Sequence, residues 1–519
     1  MTSNSFRPNR RQVLLAGSAA IGVAALGTSG LAGATGAGTG RIREPFQLGV
    51  ASGDPLPDGV VLWTRLAPEP LTEDGFGGMP DQVVPVQWQV ATDERFTDVV
   101  AEGTEQAERA SAHSVHAEVS GLRPGAEYFY RFRAGSELSP VGRTKTAPAP
   151  VANLDKFSFA FASCQNYVAG QYTAYQHMAD EDLDLVAFLG DYIYEGGDAG
   201  SIGRPHVPAH EIMNLADYRT RLGQYKADPF LQAAHAAFPW AVVFDDHEVE
   251  NNWAGDLSQP DTEPDQDPAV FRERRAQAFQ AYYEHMPLRR AQRPSGPDIR
   301  IHRRLTFGDL VDVHLLDTRQ YRDDQEVPPE QVADPERTLL GAEQRKWLLE
   351  NLSGQTARWN VLAQQVFFSQ RDFTAGDADS FSNDAWDNYP AERTLLRDRM
   401  AGVSNPVVIT GDVHANYAVD IKADFEDPAS ATVGVELVGT SITSGGNGSD
   451  QNPSDSVQLQ ENPHIKFINR KRGYVRNTIT HDSWTADYRV VDQVTAPGGS
   501  VSDRATFTIQ AGKPGLIQG

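Results

Sequence analysis

The sequence predicts an α/β (α+β) fold, a two-sheet sandwich flanked by helices and preceded by an all-β domain. Three observations carry this expectation. Residues 46–146 read as short strands that alternate apolar and polar side chains. From residue 157 onward, buried-type apolar strands alternate with longer helix-like or loop segments. Four of those later strands run directly into clusters of side chains able to bind metal ions. At 519 residues the chain is also too long for one ordinary core, so two domains are expected.

The first segment, residues 1–44, reads as an address rather than as part of the fold. Residues 1–43 hold no Asp or Glu, Arg7, Arg10 and Arg11 precede an apolar stretch over 13–31, and Ala32-Gly33-Ala34 suits a signal peptidase. The run Arg10-Arg11-Gln12-Val13-Leu14-Leu15 resembles a twin-arginine export signal. That implies the twin-arginine translocon as a partner during export and a secreted, periplasmic or cell-wall location. A membrane-anchoring helix is disfavoured because Gly, Ser and Thr dilute the apolar run. No later run is long enough to cross a bilayer.

Residues 45–147 form the expected all-β domain. Segments 60–64 and 84–90 alternate with period two. The turn Leu122-Arg123-Pro124-Gly125 precedes Tyr128-Phe129-Tyr130-Arg131-Phe132, a pattern similar to fibronectin or immunoglobulin-like sandwiches. Residues 148–156, opening on Pro148-Ala149-Pro150, read as a linker. The second domain covers 157–519. Its strands are expected at 157–162, 185–189, 240–244, 310–316, 359–362, 407–410 and 433–438. Helices are expected at 270–284 and 343–352, where Trp347, Leu348 and Leu352 share a face. The tail from 484 returns to strand pattern, which speaks against a C-terminal helix plugging a site.

A formal net charge of -24 repels nucleic acid and anionic lipid headgroups at long range, so nucleic-acid binding is not an expected function. A phosphate-bearing substrate stays open, because bound cations reverse the local field in a cleft. The chain is expected to act as a monomer.

The chemistry collects in four strand-end groups, the place where α/β folds build sites. The first, Ala162-Ser163-Cys164-Gln165-Asn166, holds the only cysteine of the chain. Cys164 is equally a metal ligand or a buried filler. The second is Gly190-Asp191-Tyr192-Ile193-Tyr194-Glu195. Asp191 can bridge two cations, and Tyr194 can return on the same side of a turn. Taken singly, an Asp N-cap followed by core aromatics explains it as well. The third, Phe244-Asp245-Asp246-His247-Glu248-Val249-Glu250-Asn251-Asn252, is dense in oxygen donors, with His247 free for acid–base work or phosphate contact. The fourth, Gly411-Asp412-Val413-His414, places Asp412 and His414 two apart, on the same side of an extended chain. Thiolate, phenolate and imidazole suit a transition metal such as iron. The surplus oxygens suit a hard divalent ion such as calcium.

With these motifs the chain resembles the alkaline phosphatase D (PhoD-type) family of calcineurin-like metallophosphoesterases. Gly49-Val50-Ala51-Ser52-Gly53-Asp54-Pro55 and Trp63-Thr64-Arg65 are similar to the N-terminal domain of that family. The resemblance implies a metallophosphoesterase-like catalytic domain with an Fe(3+) and Ca(2+) centre. It implies Cys164, Asp191, Tyr194 and His414 as iron ligands, with Asp191 bridging. Asp412 and one of Asn251 or Asn252 would bind calcium. Asp246-His247-Glu248 stands where the wider superfamily has Asn-His-Glu/Asp. Arg319 is a candidate for phosphate contact, and Arg272 a weaker one with an ordinary salt bridge as its alternative. Purple acid phosphatases share Gly-Asp-x-x-Tyr, but this chain has Cys164 where they have an Asp-based motif, and Gly-Asp-Val-His where they have Gly-His-x-His.

The expected activity is metal-dependent hydrolysis of phosphate esters, small or polymeric, by metal-activated hydroxide or oxo attack on phosphorus. His247 would stabilise phosphate or protonate the leaving group. A phospholipase D-type phosphodiesterase is the alternative within the family. A metal-stabilised cell-surface binding protein is the alternative from another class.

Overall fold

A computed structural model describes residues 42–519. The export leader expected over 1–44 therefore lies almost wholly outside the described residues. Two large sheets dominate. The first has ten strands, and its centre is the parallel set Phe157–Ala162, Leu185–Leu189 and Pro239–Val243. Each of these is buried along its whole length, as an interior parallel strand must be when both faces are covered. The second sheet has seven strands, with Val311–Leu315, Trp359–Gln364, Pro406–Thr410 and Thr432–Val438 parallel at its centre. All seven strands expected in this domain are present within a residue or two.

The inner faces of the sheets share one apolar core. Phe157, Phe159, Phe161 and Val186 from the first sheet pack in the same cluster as Val313, Val361, Ile409 and Leu437 from the second. Phe157 stacks on Phe307 at 4.3 Å between ring centroids, and Trp484 meets Trp359 edge-on at 5.8 Å. This is the expected two-sheet sandwich, and it brings two rows of carboxyl strand ends to one side.

The N-terminal region is all-β, as expected. A five-stranded sheet built on Val84–Ala91, Val99–Ala107 and Glu127–Ala134 buries Val86, Val90, Tyr130 and Phe132 against Val60, Leu62, Val115 and Val119. The opposing strands continue the ten-stranded sheet: Val50–Leu56 pairs in parallel with Pro239–Val243, then come Gly59–Arg65 and Ser114–Val119. The β-sandwich thus shares a sheet with the α/β domain. On the other flank, Arg472–Ile479, Ser483–Val491, Val501–Gln510 and Lys513–Gln518 extend the same sheet as an antiparallel meander. Among the described residues the last helix, Pro453–Glu461, ends well before this meander.

Helix Pro268–His285 starts two residues before the sequence pattern suggests, because Asp267 caps it and Pro268 takes the first turn. Helix Leu215–Lys226 gave no clear pattern. It buries Arg219, Arg221, Gln224 and Lys226, whose polar heads find partners inside the fold and blur the apolar stripe.

Candidate metal centre

Glycine lets the strand ends converge. A Cβ on Gly190 would lie 2.3 Å from the Cβ of Asp245, so the second and third groups touch only because that side chain is absent. Glu248 then ties the two turns together. Its carboxylate accepts the backbone N–H groups of Asp191 at 3.2 Å, Tyr192 at 2.5 Å and Asp245 at 2.8 Å.

The backbone of the site is strained in a consistent way. Of eleven non-glycine residues with positive φ among the described residues, five are Cys164 (59°), Asp191 (57°), Asn252 (54°), Asp412 (59°) and His414 (56°). Left-handed backbone is costly for such residues and concentrates at functional sites. It also corrects one expectation. Asp412 and His414 are not on an extended segment, so alternation does not align them. Each left-handed residue turns the chain, and the pair divides between two donor groups.

Three such groups meet at Asp191. Cys164, Asp191 and His414 offer ligand atoms within 4.8 Å of one another. So do Asp191, Asp246 and His247, and so do Asp191, Asp245, Asp246 and Asp412. Tyr194 joins the first group: its hydroxyl donates to Asp191 Oδ2 at 2.9 Å and lies 3.1 Å from His414 Nε2. Ser444, which sequence reading missed, has its hydroxyl oxygen 2.7 Å from the Tyr194 oxygen and 2.8 Å from the Cys164 carbonyl, and its one proton serves either.

The electrostatics leave this cluster short of positive charge. Burial, reinforced by neighbouring carboxylates, pushes the Asp191 carboxyl well above its ordinary range. Burial also raises Asp245 strongly despite Arg319, and raises Asp412 to about 7 and Glu248 to about 8. The Cys164 thiol is raised by burial and by Asp191 and Asp412. Only Asp246 runs the other way, because Arg319 and His247 outweigh its burial. Two buried carboxylate oxygens, Asp191 Oδ1 and Asp245 Oδ2, have no hydrogen-bond partner. Buried polar atoms without partners are rare and costly. Orphan oxygens beside a thiol, a phenol and an imidazole fit cations.

Around the cluster, His247 binds Glu195 through Nδ1 at 2.6 Å and lies 4.2 Å from the Tyr194 ring, centroid to centroid. Burial lowers the His247 pKa, but Glu195, Asp246 and Asp191 together raise it well above the ordinary value. Asn251 gives its backbone N–H to Glu195 and its side-chain amide to Gln259 at 2.8 Å. Asn252 gives its N–H to Asp246 Oδ2 at 2.8 Å.

Arg319 is placed differently from the expectation. Its guanidinium is fully buried and bound to Asp245 at 2.6 Å and to both oxygens of Asp384, at 2.5 and 3.0 Å. It steadies a carboxylate of the cluster rather than opening onto a cleft. Arg272 is exposed on its helix and pairs with Asp256 at 2.7 Å. Asp384 and Glu195 are the supporting residues that no strand-end motif flagged by role.

Fold and site together define a class: a phosphoesterase-type two-sheet sandwich with a carboxylate-rich, metal-competent centre at its strand ends. The model of the PhoD-like phosphatase family matches residues 159–488, and that of its N-terminal domain matches residues 32–148. Alkaline phosphatase D of Bacillus subtilis (strain 168) is 53% identical over 484 residues, covering 91% of this chain and 82% of that protein. A solved structure described as that of PhoD superposes with a TM-score of 0.88 at 53% identity, covering 91% of this chain and 92% of that one. The chain belongs to the PhoD-like phosphatase family, and it is an alkaline phosphatase D-like phosphoric ester hydrolase.

Proposed function

We propose that the chain is exported by the twin-arginine route, works as a monomer, and hydrolyses phosphate esters at an Fe(3+) and Ca(2+) centre. Cys164, Asp191, Tyr194 and His414 would hold the iron, with Asp191 offering oxygens to both cations. Asp412, with Asn251 or Asn252, serves calcium, and Asp245 and Asp246 add hard oxygens on that side. The observation that carries this reading is Asp191 itself. It belongs to all three donor groups, with one oxygen held by Tyr194 and the other buried and unpartnered.

When bound, such cations lower the pKa of a coordinated water and neutralise charge gathering on phosphorus. The protein's own residues do the rest. Glu195 fixes the His247 ring through Nδ1 and favours its protonated form, so the second ring N–H can donate to a phosphate or leaving-group oxygen. Asn252 and the backbone N–H of His247 hold Asp246 in place. Arg319 does the same for Asp245.

Elemental analysis of protein purified without a chelating tag tests the centre. Iron and calcium in the wild type, with iron lost in Cys164→Ala, is the expected result; iron retained in that variant removes the sulfur from the ligand set. A nitrophenyl monoester is the expected substrate over its bis-ester and over phosphatidylcholine. Preference for the lipid would make the enzyme a phospholipase D instead. Retention of precursor inside cells carrying Arg10→Lys and Arg11→Lys tests the export route.

A further inference from the structure

A second acidic cluster lies outside the three groups that meet at Asp191. Glu250, Asp261 and Asp265 offer carboxylate oxygens within 4.8 Å of one another. Glu250 and Asp265 are buried, and Asp261 is exposed. Glu250 lies inside the third strand-end group, directly before Asn251, but its carboxylate faces Arg274 at 2.8 Å.

Arg274 is the one cation paired with these residues among the described ion pairs, and it is oversubscribed. Its guanidinium meets Glu250, Asp265 at 2.9 Å and Glu211 at 2.8 Å. Three carboxylates therefore share one positive charge, and Asp261 adds a fourth. Asp265 completes the case. Its side chain is fully buried, and its Oδ2 takes Arg274, yet its Oδ1 is also sealed from water and has no hydrogen-bond partner. An orphan carboxylate oxygen in an under-neutralised acidic cluster points to a missing cation, as at Asp191.

We propose that Glu250, Asp261 and Asp265 form a second, non-catalytic site for a hard divalent cation of the Ca(2+) class. All the donors are carboxylate oxygens, without sulfur or imidazole, and they come from the segment 250–265. That chemistry selects calcium over iron or zinc. The loop from Glu250 to Asp267 joins the catalytic segment to the capped start of helix Pro268–His285. A cation here ties that segment to the helix and leaves the reacting groups untouched. Asp261, on the exposed side, gives the ion its way in.

The test uses the intact, metal-loaded enzyme. Asp265→Asn and Asp261→Asn are purified beside the wild type, and iron and calcium per chain are measured. Both variants should lose one calcium per chain and keep the iron and the turnover of a nitrophenyl monoester. Tb(3+) luminescence sensitised by the aromatic residues of the protein should persist in Asp412→Asn and weaken in Asp261→Asn. Asp265→Asn also disturbs the Arg274 pair and can fail to fold. Asp261 is exposed and has no ion pair among the described residues, so its variant decides alone in that event. Calcium content equal to wild type in Asp261→Asn overturns the proposal. Joint loss of calcium and iron overturns the claim that the site is separate.

Discussion

Two buried charged regions of this molecule have similar ingredients and opposite bookkeeping. At the junction of the β-domain and helix Pro268–His285, Arg219 binds Glu284 through two bonds of 2.7 and 2.6 Å. Arg65 donates to the carbonyls of Ala112 and Gly75 and to His285 Nε2, and burial with Arg65 alongside keeps that histidine neutral. His285 in turn donates through Nδ1 to the Ala281 carbonyl at 2.7 Å. Every charge there has a partner. At the strand ends, Asp191, Asp245, Asp246 and Asp412 crowd together with Arg319 as their cation, and two oxygens have no partner at all. Burial alone therefore does not mark a site. The excess of acceptors over donors does, because a fold that needs nothing else has no reason to leave it.

The largest effect should come from removing that excess. Asp191→Asn is expected to cut hydrolysis of a nitrophenyl monoester by about 10³-fold or more, since it disturbs all three donor groups at once. In protein stripped of metal, the same change should hold or raise Tm, because it deletes a carboxylate that burial already penalises. A lower Tm in the stripped variant would refute the imbalance. The matched region should behave in the reverse way. Arg219→Met leaves Glu284 buried and unpaired and should cost about 3–5 kcal/mol of stability in denaturant titrations. Its metal content and kcat should match the wild type. Loss of iron in Arg219→Met would show that the two regions are not independent.

The sequence carried the strands well and the site in outline. Strands such as Phe157–Ala162 and Leu185–Leu189 are legible because parallel interior strands are continuous apolar runs, and each motif begins where the run stops. What escaped depends on contacts far apart in the chain. Asp384 lies 65 residues from the Arg319 it binds, on a loop with no pattern of its own. Glu248 sits inside a quoted motif, yet its work as the acceptor for three backbone N–H groups appears only once Gly190 has brought the turns together. Left-handed backbone at Cys164, Asp412 and His414 has no signature in residues that ordinarily avoid it. The shared sheet is hidden for a similar reason. The pairing of Ser52 with Pro239 spans most of the first half of the chain.

A smaller effect sharpens the comparison inside the site, where one charge does find a partner. Glu195→Gln keeps the shape of the His247 contact and removes its charge. Activity is expected to fall about 10–100-fold, the usual cost of losing a residue that orients a metal-site side chain. Glu195 is among the groups that raise the His247 pKa, so its loss should also move the limb where activity disappears with rising pH to lower pH. A pH profile that drops in height without shifting would leave Glu195 a purely structural role.

The smallest effect is the pH dependence of the metal-free protein. Asp412 has a carboxyl near 3.8 when unfolded and about 7 when folded, because burial and Asp384 disfavour its charge. The native state then holds the proton longer than the unfolded state does. Between those values stability falls as pH rises, and the loss is complete above the folded value. Asp191 and Asp245 shift in the same direction. Stripped enzyme should therefore melt lower at pH 8 than at pH 5, by about 2–5 °C. Loaded enzyme should not show this fall, because cations stabilise the ionised carboxylates and their binding strengthens as protons leave. If stripped and loaded protein showed the same pH trend, the unpartnered oxygens of Asp191 and Asp245 would not be waiting for cations.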